Sequence, residues 1–549
     1  MNLSKRLAAL FTVFILLTGT AGLIAAETGA KPEVDRDIEE MLRSNDLVIR
    51  GVDILAQALL FEVYEGHNFS PFWTRPARIR ELMELINDSA DHGLIPADYN
   101  IEHLQQVLQR RESSPSAEIE AEADILLTES LLRYGYHRRF GKVEGSKLDP
   151  DINFRRETFH HQSPTLTIEQ AIESSSLADF IEMAAPMGPI YRQLQYKLAV
   201  YRNIAVNGGW PTIPEGPTLR LDDKDPRIAV IRRRLATTSD LPAGANTNSP
   251  VFDRELELAV KGFQARHALD DDGIVGKQSI AAMNVPVETR VDQLRISLER
   301  LRWVNQEAVD TLVAVNIAGF RAFFFKDGEL EWSTRAMVGK NYRKTPVFRG
   351  DMAYLEFNPT WTIPPGILRN DTLPAIKKNP NYLASKNIRV IDRKGKIVEP
   401  STVDWNQYSK GVPYTLRQDP GPNNSLGTVK FIFPNQHFVF LHDTPHRELF
   451  SHSERAFSSG CVRIQDPLKL AELVLDDPVK YPRSELEAIV DSRETQRINL
   501  SPKMPVVIVY LTASIEPGGK VRFYKDVYNR DQKVLAALNG PVIIAVPGG

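Results

Sequence analysis

Cysteine is almost absent from this chain of 549 residues: Cys461 is the only one. A single thiol excludes an internal disulfide, so the thiol is either reactive or incidental. Surplus charge is missing too. With 67 basic against 70 acidic residues the net charge is -3, which leaves no electrostatic footprint for nucleic acid. Long apolar runs are confined to the start, where Leu7 to Ala26 follow Lys5 and Arg6 and give way to Glu27-Thr28-Gly29. Residues 1–26 therefore read as an export signal or an N-terminal anchor. The small pair Ala25-Ala26 fits cleavage, whereas Leu23 and Ile24 stand where a small residue is preferred, and the run approaches the ~20 residues of a membrane span. Any membrane contact is expected only through this segment.

What is present is ordinary globular material: 42% hydrophobic and 25% charged residues, enough for about three or four domains at roughly 150 residues each. Residues 35–215 read as helical, with Ile79, Leu82, Met83, Ile86 and Ala90, then Leu127, Leu131 and Tyr134, then Tyr191, Leu194, Leu198 and Tyr201 recurring at helical spacing. Residues 217–287 form a second, small unit with Ile228, Ile231 and Leu235 on one helix and Leu256, Ala259, Val260 and Phe263 on another. Its Asp270-Asp271-Asp272-Gly273 stretch lacks a calcium loop's outer ligands, since Ala268 and Ser279 stand at the first and twelfth places. A solvated turn accounts for it better.

After a bridging helix near 290–303 the period changes to that of strands, from Leu312 to Ile317, Ala322 to Phe325 and Leu330 to Trp332, with Asp327-Gly328 as a hairpin signal. Further strands are predicted at Ala353 to Phe357, Val429 to Phe433, Phe438 to Leu441, Val506 to Leu511 and Lys520 to Tyr524, and a helix from Pro467 to Leu475 capped by Asp466. Residues 305–535 are thus a mostly β domain. A polar insertion at 368–411 interrupts it, and an insertion of that length suggests a lid. The fold class expected is multidomain α+β.

Chemistry concentrates at Ser458-Ser459-Gly460-Cys461-Val462-Arg463, downstream of His442, His446 and His452. A thiol beside imidazole and guanidinium can become a thiolate. His442, at the end of a strand 19 positions earlier, is placed to take the proton and later return it to a leaving amine. Gly460 would let substrate approach the backbone, the amides around Gly460-Cys461 could form an oxyanion hole, and Arg463 could hold a substrate carboxylate. Each has a plainer reading: free cysteine often merely packs, and His442 with His446 could instead ligate zinc. Pro445 between them argues against a helix presenting both, and no clear fourth ligand follows. No cofactor or metal is therefore expected.

His442-Asp443-Thr444-Pro445 and Ser459-Gly460-Cys461-Val462-Arg463 resemble the signature of L,D-transpeptidases with the YkuD-type catalytic domain. Trp361-Thr362-Ile363-Pro364-Pro365, Asn424-Ser425-Leu426-Gly427, His92-Gly93-Leu94 and Gly209-Trp210-Pro211 are similar to the large YcbB-like branch, over roughly residues 55–535, and 217–287 resembles a small three-helix peptidoglycan-binding domain. The resemblance implies a periplasmic enzyme of Gram-negative cell-wall synthesis, with peptidoglycan stem peptides and glycan strands as partners beside cell-wall synthesis proteins. It implies Cys461 as nucleophile, His442 as base, and Asp443 orienting the imidazole through its carbonyl, with Ser459, Gly460 and Arg463 in support. It further implies a thioester acyl-enzyme, release of terminal D-alanine, 3-3 cross-links, and acylation of the cysteine by carbapenems. Water as acceptor would make it an L,D-carboxypeptidase, and a silent thiol would leave a wall-binding scaffold. One departure stands out: Phe440 lacks the hydroxyl of a tyrosine found near that place in some relatives.

Overall fold

A computed structural model describes residues 31–154, 156, 164–185, 187–305, 309–409, 411–515 and 518–542. The predicted N-terminal segment 1–26 lies outside the described residues, and among those described no helix is long and apolar enough to cross a membrane.

The helical periodicity is borne out. Helix α1 (Pro76–Asp88) buries Ile79, Leu82 and Ile86, packing on the long α2 (Ala117–Phe140), whose Leu127, Leu131 and Tyr134 lie in the same core. Ala90 falls in the tighter turn that follows α1 rather than on the helix. Helix α3 (Pro189–Val206) buries Tyr191, Leu194, Leu198 and Tyr201. The small unit is built from α4 (Pro226–Thr237), α5 (Arg254–Arg266) and α6 (Lys277–Met283) around their apolar faces. Its acidic stretch is a turn, in which Asp272 accepts from Gln264 Nε2 at 2.8 Å and from the Ile274 amide at 2.8 Å.

The bridging helix α7 (Val287–Asn305) joins the scaffold to the β domain through buried charges. Glu299 accepts from the Val143 amide at 2.7 Å, Arg302 at 2.6 Å and Trp303 Nε1 at 3.2 Å, while Arg302 also donates to Tyr191 on α3 at 2.9 Å. Paired in this way, the buried carboxylate and guanidinium are tolerated, and loss of either would leave the other unpaired.

The β domain contains β1 (Leu312–Asn316), β2 (Arg321–Lys326), β3 (Glu329–Gly339), β4 (Phe348–Phe357), β5 (Val429–Ile432), β6 (Leu441–His442), β7 (Ala456–Ser458), β8 (Val462–Ile464), helix α8 (Pro467–Leu475) and β9 (Gln496–Val509). The strand order is β7-β3-β8-β6-β5-β4-β9-β1-β2, and β2 also pairs with β3, which closes the sheet on itself. Asp327 and Gly328 both have positive φ, at 51° and 82°, the geometry a two-residue hairpin turn requires. Asp466 caps α8, accepting from the Lys469 amide.

Two expectations are corrected. The strand predicted from Phe438 pairs regularly only at Leu441–His442, because Phe438 adopts a left-handed φ of 54° in a turn organised by Asn435. The strand predicted at Lys520 to Tyr524 forms at Val521–Phe523, where it pairs with Ala513–Ile515 outside the closed sheet, and both pack against α3 and α7. The insertion is wider than 368–411. Its flanking strands Trp361–Thr362 and Thr415–Gln418 pair with each other, Thr415–Gln418 also pairs with Ile388–Ile391, and the unit has its own apolar core of Ile363, Leu368, Ile376, Leu383, Ile388, Val390 and Leu416.

Candidate active site

Strands β6 and β8 lie side by side and parallel, with Leu441 opposite Val462 and His442 opposite Arg463. Parallel neighbours need a long crossover, and residues 443–461 supply it. The 19-residue interval is therefore the loop that brings Cys461, just ahead of β8, beside the strand of His442. Side chains alternate across the sheet: Leu441, Val462 and Ile464 enter the core, so His442 and Arg463 share the opposite face.

His442 is buried, and its Nδ1 lies 2.5 Å from the carbonyl oxygen of Asp443. A carbonyl only accepts, so Nδ1 carries the proton and Nε2 is left with a lone pair. Burial lowers the imidazole's pKa to about 3, assisted by the Arg463 charge, while the Asp443 carbonyl works in the other direction. The Asp443 carboxylate faces elsewhere: Oδ2 accepts from the Thr428 amide and hydroxyl, each at 2.9 Å, and Arg447 approaches at 3.2 Å. Gly427, with φ of 65°, lies so close to Asp443 that a Cβ there would collide with the carboxylate. The carbonyl that holds His442 is thus anchored from behind.

Cys461 is half-buried, its Sγ 3.8 Å from the carbonyl oxygen of Phe438. The thiol does not rest as a thiolate. Burial pushes the thiol up to about 11, against smaller opposing contributions from the Phe440 backbone, Lys430 and Arg463. Thiol and imidazole both rest neutral, so any reaction through the sulfur would need a base to take its proton.

The loop around the thiol is tightly tied. The Gly460 amide donates to Ser458 Oγ at 3.1 Å, Ser458 Oγ donates to the Cys461 carbonyl at 2.5 Å, and Thr345 Oγ1 donates to the Gly460 carbonyl at 2.8 Å. Gly460, at φ 120°, sits where other residues are strained. Its amide is already committed, which narrows the expected oxyanion donors: the Cys461 amide has no hydrogen-bond partner among the described residues. Ser459 Oγ accepts from Arg343 at 2.9 Å, and the same guanidinium pairs with Asp371 of the inserted unit at 2.7 Å. Arg463 keeps a buried Nε without a hydrogen-bond partner. His446 is exposed and approaches Glu448 at 3.4 Å, while His452 packs edge-on against Phe457. Among the described residues no cluster of three or more potential ligands could hold a metal.

Sequence reasoning missed Lys430, Thr428, Gly427, Thr345 and Arg343. The stretch around Gly427 carried a signal in its family likeness, yet its contact with Asp443 arises only from strand pairing.

Fold and site together describe a closed β domain with a neutral cysteine-histidine pair at the mouth of a parallel crossover, carried on a helical scaffold. Comparison with known proteins sharpens this. Residues 310–508 match the L,D-transpeptidase catalytic domain (YkuD), residues 58–198 a scaffold domain, and residues 224–283 a model described as "Putative peptidoglycan binding domain". Residues 310–508 are thus a domain of the YkuD-type L,D-transpeptidase catalytic family. A Haemophilus influenzae protein named "Putative L,D-transpeptidase" is 34% identical over 232 residues, 42% of this chain and 47% of that protein. The chain thus spans about half the length of that relative. Among solved structures, an L,D-transpeptidase from Xylanimonas cellulosilytica is 14% identical, with 54% of this chain and 98% of that one covered at a TM-score of 0.16. A fused Zn-dependent amidase/peptidase/peptidoglycan-binding protein from Clostridium acetobutylicum is 10% identical, with 54% and 100% covered at a TM-score of 0.15. Scores so low carry no argument about this fold.

Proposed function

We propose that this protein is a periplasmic L,D-transpeptidase that joins peptidoglycan stem peptides by 3-3 cross-links. Cys461 Sγ attacks the carbonyl of the L-centre of the third-position diamino acid in a tetrapeptide stem while His442 Nε2 takes its proton. The tetrahedral oxyanion is met by the Cys461 amide. Collapse breaks the peptide bond, His442 returns the proton to the departing amine of D-alanine, and a thioester remains. The side-chain amine of a second stem, deprotonated by His442, then attacks the thioester and releases the thiol.

The observation that supports this reading most is the fixed tautomer of His442. Its Nδ1 is occupied by the Asp443 carbonyl at 2.5 Å, and its strand is the parallel neighbour of the one that Cys461 enters. The small helical domain, matching a peptidoglycan-binding model, would keep the enzyme on glycan strands, and the inserted unit, tied to Ser459 through Arg343, would act as a lid.

The test is to incubate purified full-length protein with tetrapeptide muropeptides and analyse products by mass spectrometry. Cross-linked dimer with released D-alanine is expected. D-alanine release without dimer would reassign the protein as an L,D-carboxypeptidase, and an unchanged substrate would leave a wall-binding scaffold. Cys461→Ser should abolish turnover with the fold intact.

A further inference from the structure

The sheet ladder sets a row of charged side chains across the face that carries His442. Arg463 pairs with His442, His442 with Lys430, and Lys430 with Glu356. Directly paired residues on neighbouring strands lie on one face, and the flanking Val429 and Phe431 enter the core, so Lys430 stands on the site's side beside the imidazole. Its ammonium sits 4.1 Å from the centre of the Phe440 ring, which in turn lies 5.6 Å from the His442 ring. A cation held over an aromatic face is oriented without being neutralised. Phe440 is the position where the tyrosine hydroxyl is lacking, and here the ring serves as the platform under Lys430.

Two cations thus flank the imidazole, one on each side, and neither is discharged. Among the described residues the Lys430 side chain makes no hydrogen bond and no ion pair, although Glu356 faces it from the next strand and acts on it across a distance. Arg463 likewise forms no ion pair among them. Half-buried positive charges with no counter-ion in contact mark a place for an anion. A tetrapeptide stem offers carboxylates close to the bond to be broken, at the terminal D-alanine and on the side chain of the diamino acid.

We propose that Lys430 is a specificity-determining residue that binds, together with Arg463, a carboxylate of the donor stem. This rests on the acyl-transfer reading of Cys461 given above. Both cations also depress the basicity of His442, so a carboxylate that neutralised them would make the imidazole a better base once the donor is seated.

Three synthetic tetrapeptides separate the sources of the carboxylate: the free acid, its C-terminal amide, and the variant with the diamino acid's side-chain carboxyl as carboxamide. Binding is measured calorimetrically to full-length Cys461→Ser protein with and without Lys430→Met, and D-alanine release is followed with the Cys461 forms. Lys430→Met is expected to weaken the free acid by roughly tenfold in Kd and KM with a smaller change in kcat. One of the two amides, the one lacking the recognised carboxylate, should be nearly insensitive to the substitution, and Lys430→Arg should restore discrimination. Equal weakening of all three peptides, or none, would overturn the proposal. Were the wild-type protein to release no D-alanine, the acyl-transfer reading would fail, whereas the binding series in Cys461→Ser would still report on Lys430.

Discussion

The neutral thiol makes a quantitative forecast, and the lone cysteine makes it clean to measure, because every equivalent of alkylating reagent incorporated at sulfur reports on Cys461. With the thiol held at about 11 in place of an ordinary 9.0, only about one molecule in three thousand carries a thiolate at pH 7.5, against about one in thirty for an ordinary cysteine. Alkylation depends on the thiolate, so iodoacetamide should react with the resting protein about a hundredfold more slowly than with an exposed cysteine peptide. The rate should rise tenfold per pH unit from 7 to 10 without levelling. Mass spectrometry of the intact protein, sampled over time at each pH, gives the profile, and a folded-state control by circular dichroism covers the alkaline points. A plateau near pH 6 to 7, the behaviour of a preformed thiolate-imidazolium pair, would refute the neutral resting state and the base role assigned to His442 with it.

Gly427→Ala should cost about 1–2 kcal/mol for the left-handed backbone alone. Displacing Asp443 should add a loss of turnover larger than the stability change explains, read by comparing urea midpoints with muropeptide kinetics. Acid should destabilise the chain through its buried neutral histidines. His442 and His92 are lowered by burial to about 3 and about 2, and the unfolded forms titrate near 6.5. The unfolded state therefore binds more protons, and stability, full above pH 6.5, falls toward pH 3 by about 2 kcal/mol per histidine at pH 5. Urea titrations at pH 7.5 and 5.0 measure it. His442→Gln should shrink the difference for the catalytic domain, and an identical difference in wild type and variant would contradict the buried-neutral assignment. Arg343→Met, which breaks the contacts to Ser459 and Asp371, should make the inserted unit more sensitive to limited proteolysis and leave the urea midpoint of the closed sheet unchanged.

The scaffold helices were legible because burial on one face repeats every three to four residues, as at Tyr191, Leu194, Leu198 and Tyr201. The hairpin at Asp327-Gly328 was legible because local chemistry dictates its φ angles. His442 and Cys461 could be singled out by residue type, and the reason for their spacing became visible only in the parallel pairing of β6 with β8. Lys430 carries no local signal at all. In sequence it is one polar residue in the strand Val429–Ile432, and its place beside His442 comes from register between strands distant in the chain. The resting state of the thiol was not legible for a related reason: sequence proximity to basic residues says nothing about burial, and burial decided the direction of the shift.

The inserted unit leaves the closed sheet after Phe357 and returns at Val429, and those two residues are direct partners across β4 and β5. Topologically the whole excursion occupies the place of a hairpin turn. Its entry and exit are a single strand spacing apart, and its interior is held by apolar residues of its own, so it exerts no leverage on the pairing beneath. Such a unit is an exchangeable part. A lineage could lengthen or replace its outer part while β5 held β6 in register, provided that Gly427 and Thr428 at its return still anchored Asp443 behind His442. Selection on the outer part of this excursion can therefore act separately from selection on the strands that hold His442 and Cys461 side by side.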